Sequence, residues 1–150
     1  MDKQKIDILI KNGVVVSGSG MKKQDLQIVD GRIHEIVSDS GAVTADREID
    51  AGGRYVMPGI IDAHFHPVYA DRIDTLSKAA ATGGITTLIP YVGAVKAWGQ
   101  GGDLVESINA FIEEGETTSI LDFGVHCTFT QNDMVGVDHY IPTLIEKGIV

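Results

Sequence analysis

Hydrophobic residues in the first third of the chain come in short runs separated by turn residues. The runs and their turns are Ile6–Ile10, Asn12-Gly13 and Val14–Ser17, then Leu26–Val29, Asp30-Gly31 and Arg32–Val37. Asn-Gly and Asp-Gly between such runs are strong signals for a β-hairpin. We therefore predict two antiparallel hairpins, with Val14–Ser17 pairing back on the first run. Residues 1–57 are predicted to form a small β module.

From Pro58 onward the pattern changes to apolar runs that alternate with segments of helical periodicity. Strands and helices are predicted in the order Ile60–His64, Asp71–Thr82, Thr86–Ile89, Asp103–Glu114, Leu121–Thr128 and Asp138–Lys147. The first of these strands is expected to be buried, Asp71 is expected to cap the first helix, and Ile149-Val150 is expected to open a fourth strand. Such alternation is typical of a parallel sheet, so residues 58–150 are predicted to be α/β.

The first strand after Pro58 carries side chains of the metal-binding type at its end. Asp62, His64 and His66 lie two residues apart from one another, so an extended strand is expected to present all three on one face. Two imidazoles in this relation can bind one metal ion, and a nearby carboxylate can orient the ring of a ligand. The sequence predicts His64 and His66 as metal ligands and Asp62 as a residue that supports them.

The motif and its surroundings resemble a known family. Pro58-Gly59-Ile60-Ile61-Asp62-Ala63-His64-Phe65-His66 is similar to the signature of the amidohydrolase superfamily, and Ala79–Ile89 is similar to its cyclic-amidohydrolase branch of dihydropyrimidinases and hydantoinases. The resemblance implies a small β-sandwich-type module followed by a TIM (β/α)₈ barrel. Because such a barrel typically needs about 250 residues, three βα units and the start of a fourth strand are expected to be the N-terminal portion of a longer enzyme.

The same resemblance implies the chemistry. Enzymes of this branch open a cyclic amide with a metal-activated hydroxide, using two zinc-type ions, a carboxylated lysine that bridges them and an aspartate that moves the proton. Of this set only His64 and His66 lie in the sequence; the lysine and the aspartate are expected beyond residue 150. The 150 residues alone are therefore predicted to be inactive, since two histidines make an incomplete ligand set.

The substrate expected from the resemblance is a hydantoin or dihydropyrimidine ring. The residues after His66 are Pro67-Val68-Tyr69-Ala70, without the arginine that a carboxylate-bearing substrate such as dihydroorotate would need. The connection to the first helix is also shorter than hydantoinases usually have. Three alternatives stay open: a mononuclear deaminase or deacetylase of the same superfamily, an allantoinase or dihydroorotase, and a non-catalytic dihydropyrimidinase-like scaffold.

Other chemically versatile residues are given structural roles. His126 is expected to be a core histidine, although its facing depends on a strand register that the sequence does not fix. Cys127 is expected to be a buried thiol, and Lys147 to interact with the dipole of the helix that it ends. His34 is expected at the surface. The glycines at Gly99–Gly102 lack the lysine of a phosphate-binding loop.

Composition narrows the class of partner. The formal net charge of −9 and the absence of a large Lys/Arg cluster disfavour nucleic acid. No apolar run approaches the roughly 18 residues that cross a membrane, and the first residues lack the apolar core of a signal peptide. The single cysteine, Cys127, allows no disulfide within the chain. We expect a cytoplasmic protein with a small-molecule substrate, no nucleic-acid or membrane partner and, by resemblance, a homo-oligomeric state (dimer or tetramer).

Overall fold

The structure is a computed structural model that describes residues 5–68, 72–99, 102–130, 133 and 136–149. The chain divides into two compact units, Met1–Pro58 and Gly59–Val150. This division falls one residue after the boundary expected from the change in pattern. In the described parts of the chain, no helix combines the length and the apolar character that crossing a bilayer requires.

The first unit is a five-stranded sheet. Its strands are β1 (Ile6–Ser17), β2 (Gly20–Val29), β3 (Arg32–Val37), β4 (Ala45–Asp50) and β5 (Tyr55–Val56). The order is β3-β2-β1-β4, and β5 also pairs with β1. The β1/β2 and β2/β3 pairs are antiparallel, whereas β4 and β5 run parallel to β1. The buried apolar residues of this unit are Ile6, Leu9, Val15, Leu26 and Ala51.

One of the two predicted hairpins is confirmed and the other is wrong. Asp30 and Gly31 have φ of 50° and 70° and join β2 to β3, as the Asp-Gly signal predicts. Asn12-Gly13, however, is a bulge inside the continuous twelve-residue strand β1. Asn12 adopts a φ of 58°, its backbone amide donates to Asp25 Oδ1 at 3.0 Å, and its side-chain amide donates to Asp50 Oδ1 at 3.0 Å. These long-range hydrogen bonds stabilise the left-handed conformation of Asn12 within the strand, so the chain continues in the same direction instead of turning back.

The second unit is a parallel sheet with helices. It contains β6 (Ile60–Phe65), α1 (Ile73–Thr82), β7 (Ile85–Val92), a short 3₁₀ helix (Lys96–Trp98), α2 (Leu104–Thr118), β8 (Asp122–Phe123), β9 (His126–Cys127) and α3 (Val137–Glu146). All strand pairs are parallel, with β7 between β6 on one side and β8 and β9 on the other. The predicted strand–helix alternation is thus present in the described residues.

Strand β7 separates two faces of this sheet. Leu88, Pro90 and Val92 are buried, whereas Thr87, Ile89 and Tyr91, which alternate with them, are only partly buried. Val92 belongs to an apolar core together with residues of α2, the β8–β9 segment, α3 and the chain after α3: Leu104, Ile108, Val125, Leu144 and Ile149. The opposite face of β7 carries Tyr91 near the carboxyl end of the sheet. It is the face that holds the candidate site.

Several sequence expectations for this unit need correction. Strand β6 was expected to be buried, but among the described residues it pairs only with β7, and Ile60 and Ile61 are 53% and 60% exposed. The third strand forms two short pieces, β8 and β9, rather than one. Ile149 is buried but is not in a strand, and Val150 lies outside the described residues.

The helix starts also differ from the pattern. Asp71, the expected cap of α1, lies outside the described residues, and Arg72 occupies the N-cap without a side-chain hydrogen bond. Helix α2 matches its predicted start, because Asp103 Oδ1 accepts from the backbone amides of Val105 at 2.9 Å and Glu106 at 3.1 Å. These two bonds satisfy amides that the first helical turn leaves without a partner.

Candidate metal centre

The two histidines of the motif lie at the carboxyl end of the edge strand. His64 is in β6 and His66 follows its last residue, and both side chains are exposed. In parallel α/β sheets, binding residues gather at this end of the strands. The local sequence places the pair there because Ile60 and Ile61 form the β-branched start of the strand and the histidines come at its finish.

The geometry of the pair suits two ligands of one ion. The ring centroids of His64 and His66 are 5.4 Å apart, and the rings are inclined at 80°. Two imidazoles bound to one tetrahedral ion, with metal–nitrogen distances of about 2 Å, place their ring centroids roughly 5 Å apart. The observed separation therefore fits shared coordination without a rearrangement of the strand.

A tyrosine on the central strand lies against both histidines. The centroid of the Tyr91 ring is 4.6 Å from that of His64 and 5.2 Å from that of His66. The register explains this proximity. Phe65 pairs with Pro90, so the next residues along the two parallel strands, His66 and Tyr91, lie side by side. Sequence reasoning missed Tyr91, although its position three residues beyond Leu88 on a strand of alternating burial places it on the open face.

The strand register also settles which way His126 faces. Tyr91 pairs with His126 across β7 and β9, and their rings stack at 4.8 Å with an interplanar angle of 29°. His126 therefore lies on the face of the candidate site and is partly buried there, not in the apolar core. The expectation of a core histidine is wrong because the register between β7 and β9 places it beside Tyr91 and not beside Val92.

The chain's only tryptophan borders the pair on another side. Trp98 ends the 3₁₀ helix, and its ring centroid is 4.7 Å from that of His66. The 3₁₀ helix, which directly precedes the glycines at Gly99–Gly102, thus supplies an aromatic ring to the histidine cluster.

The carboxylate of Asp62 contacts the backbone of the site. Its Oδ1 accepts a hydrogen bond from the backbone amide of His64 at 3.2 Å. A register shift between Asp62 and Phe65 interrupts the alternation along β6, so alternation alone does not place Asp62 on the face of the imidazoles. Support of His64 by Asp62 stays a prediction, now through the main chain.

The described residues supply only part of a metal-binding set. Among them, no group of three or more His, Cys, Asp or Glu side chains is arranged to hold an ion, whereas a catalytic zinc typically has three protein ligands. Burial, with Asp133 nearby, raises the pKa of the Cys127 thiol to about 11. With this pKa the thiol is protonated at neutral pH. Lys147 follows the last turn of α3 as its C-cap.

Comparisons with known proteins lead to one group of enzymes, although no protein-family model matches the chain. The chain is 38% identical to a D-hydantoinase of Ralstonia pickettii over 128 residues, which are 81% of this chain and 27% of that protein. It is 32% identical to a D-phenylhydantoinase of Escherichia coli over 150 residues, 95% of this chain and 32% of that protein. The chain thus spans about a third or less of these relatives.

The structural comparison agrees with the sequence comparison. The crystal structure of a D-hydantoinase from Bacillus sp. AR9 superposes with a TM-score of 0.77 at 30% identity, covering 96% of this chain and 32% of the other. The match confirms the predicted fold class, a small β module followed by the first βα units of a barrel-type parallel sheet. The chain is therefore related to the amidohydrolase superfamily. Within that superfamily its relatives are the cyclic amidohydrolases, the hydantoinases and dihydropyrimidinases, whose N-terminal part it resembles.

Proposed function

We propose that this chain carries part of the active site of a metal-dependent hydrolase that opens a cyclic amide. The observation on which this mainly rests is the His64–His66 pair, with ring centroids 5.4 Å apart at the carboxyl end of a parallel sheet. Its relatives, named hydantoinases, support the same reaction. We assign residues 1–57 to the small β module and residues 58–150 to the N-terminal part of the barrel.

The chain's own residues would hold the ion and fix the site's backbone. His64 and His66 would bind the ion through imidazole nitrogens, and Asp62 restrains the main chain at His64. A bound divalent ion of the zinc type would polarise the amide carbonyl and lower the pKa of a water molecule. A second ion, a bridging carboxylated lysine and a proton-transferring aspartate are part of the proposal, and none of them is supplied by the described residues.

Hydantoin or dihydropyrimidine rings are the substrates that we favour. Two observations support them: the names of the relatives, and the absence of an arginine next to His66, where Pro67 stands. An uncharged amide ring needs no such cationic partner. We further propose a cytoplasmic location and a homo-oligomeric assembly, as the single cysteine and the resemblance suggest.

The experiment that tests this function measures metal content and hydrolysis together. The complete gene product is purified without chelator, its metal-to-protein ratio is measured by mass spectrometry, and turnover of hydantoin and dihydrouracil is followed. We expect bound divalent metal and chelator-sensitive hydrolysis, both lost in the double variant His64→Ala/His66→Ala. The matched control is His34→Ala/His139→Ala, which removes two exposed histidines outside the ring cluster and should leave both properties unchanged.

The metal ratio separates the alternatives. About two ions per chain support the binuclear hydrolase. One ion with no turnover of cyclic amides would favour a deaminase or deacetylase, and no metal with no turnover would favour the non-catalytic scaffold. Metal retained by the His64→Ala/His66→Ala variant would refute the assignment of these histidines.

A further inference from the structure

Tyr91 occupies a central position among the rings of the candidate site. The ring centroids of Tyr91, His64 and His66 form a nearly equilateral triangle with sides of 4.6, 5.2 and 5.4 Å. The tyrosine ring therefore packs on both imidazoles at once. A single side chain that contacts both candidate ligands can limit the rotamers of both.

The strand that carries Tyr91 is well packed. Tyr91 is on β7, which pairs with strands on both sides, and the residues before and after it, Pro90 and Val92, are buried. His64 and His66 are exposed in the described structure and lie on or just beyond β6, whose register shifts between Asp62 and Phe65. Strand β7 thus provides a packing surface for the two histidine side chains.

His126 extends the contact on the other side of β7. It pairs with Tyr91 and stacks on its ring at 4.8 Å. A ring held between neighbouring strands by stacking has less freedom to rotate about its side-chain bonds. The row from the histidine pair through Tyr91 to His126 therefore keeps the tyrosine ring where it meets His64 and His66.

We propose that Tyr91 is a positioning residue that orders His64 and His66 before a divalent cation binds. Exposed histidines populate several rotamers, and ligands that are already ordered lose less conformational freedom on binding. The effect is assigned to the aromatic ring, since the contacts with both histidines are contacts between rings. This inference rests on the proposed function, because it takes the two histidines to be metal ligands.

The test is a Co²⁺ titration of the metal-free complete gene product. Trp98 lies 4.7 Å from His66, so an open-shell ion bound at the pair should quench its emission, and the part of the quenching that is lost in Trp98→Phe reports on this site. The titration midpoint is measured for the wild type, Tyr91→Phe and Tyr91→Leu. The matched control, Leu88→Ala, weakens the same strand on its opposite, buried face.

We expect Tyr91→Phe to retain the wild-type midpoint within about a factor of two and Tyr91→Leu to raise it about tenfold, the lower end of what loss of a supporting contact typically costs. Leu88→Ala should retain the midpoint although it lowers stability. A wild-type midpoint for Tyr91→Leu, or a tenfold loss for Tyr91→Phe, would overturn the proposal. Saturable quenching that persists in His64→Ala/His66→Ala would overturn the metal site itself, so the two failures are distinguishable.

A second measurement does not depend on whether the Tyr91→Leu variant folds. Nuclear Overhauser contacts between the Tyr91 ring protons and the ring protons of both His64 and His66 are expected in the metal-free wild type, and they should persist in Tyr91→Phe. If these contacts are absent from the metal-free chain, the histidines are not ordered by Tyr91 and the proposal is wrong.

Discussion

Polar side chains are buried within the sheet of the first unit, whereas the interior of the second unit is almost wholly apolar. Asp25, Gln27 and Ser40 are 6–8% exposed in the first unit, and Ser77 is the buried polar residue among the described residues of the second. The second unit instead has an apolar core around Leu104 and Ile108.

The two units therefore differ in the contacts that stabilise them, and in the second unit these contacts leave one face of the sheet for the candidate site. In the first unit, hydrogen bonds from Ser40 and Asn12 to Asp25 fix the positions of one loop and one bulge. In the second, apolar packing on one face of β7 fixes the sheet and leaves the other face for His64, His66, Tyr91 and His126. A site of reactive side chains is accommodated best where packing does not depend on them.

The largest expected effects come from one fully buried aliphatic side chain in each unit, Leu9 in the first and Ile108 in the second. Truncation of such a side chain to alanine costs about 2–5 kcal/mol, depending on how well the cavity collapses. We expect Ile108→Ala to lie in the upper half of this range, because it empties the centre of the larger apolar cluster, and Leu9→Ala to lie in the lower half. Urea unfolding, combined with amide hydrogen exchange of β1 and α2, measures the stability of each unit.

If Leu9→Ala lowered the free energy of unfolding as much as Ile108→Ala, or more, the comparison would be contradicted. The first unit would then depend on apolar packing as much as the second. The m-value should stay unchanged in both variants. A changed m-value would indicate an altered denatured state rather than a lost contact.

Glycine-to-alanine substitutions are expected to give the next largest loss of stability. The loss should differ between the two units because the new Cβ atom would meet backbone in one and a side chain in the other. A Cβ at Gly93 would collide with the backbone carbonyl of Thr128, which cannot move without shifting the strand end, whereas at Gly13 it would meet the Val56 side chain at 2.6 Å. We expect Gly93→Ala to cost about 1–3 kcal/mol and Gly13→Ala less, because a side chain gives way more easily than backbone.

The control for this pair is Gly124→Ala. Its Cβ would meet Ile89 at an ordinary 3.7 Å, so its stability should change by less than about 1 kcal/mol. Chemical denaturation of the three variants measures their free energies of unfolding and so ranks the three losses of stability. A loss for Gly124→Ala as large as that for Gly93→Ala would show that the close approach at the end of β7 is not what limits substitution.

Local sequence patterns were sufficient for some elements and not for others. The Asp30-Gly31 turn and the start of α2 near Asp103 depend on neighbouring residues, and both are present as predicted. Asn12-Gly13 carries the same kind of hairpin signal, but its outcome depends on Asp25 and Asp50, which are 13 and 38 residues away. No local pattern contains those partners.

The candidate site likewise contains some features that the local sequence predicts and others that it does not. The closeness of His64 and His66 could be predicted, because they are two residues apart in the sequence. The contributions of Tyr91 and His126 could not, since they depend on the pairing of Phe65 with Pro90 and of Tyr91 with His126.

The smallest expected effect concerns the polar contacts of the first unit and depends on pH. Burial alone would raise the pKa of Asp25, but hydrogen bonds from the side chain and backbone of Ser40 and from the Asn12 amide, with the charge of Lys11, hold it below its ordinary value of 3.8. A carboxylate whose pKa is lower in the folded state contributes stability above its unfolded pKa of about 3.9, and that contribution is lost as the pH falls through the folded value.

Asp25→Asn is expected to cost about 1–2 kcal/mol at pH 7, because the amide group cannot accept all three bonds. The difference between wild type and variant should shrink as the pH is lowered from 5 towards 3 and below, since protonation removes the same charge from the wild type. Urea unfolding at several pH values measures this. Asp46→Asn is the control, because Asp46 forms an exposed ion pair with Lys5 and should cost less than about 1 kcal/mol. If Asp25→Asn cost no more than Asp46→Asn at pH 7, the first unit would not depend on its buried polar contacts, and apolar packing would have to explain both units.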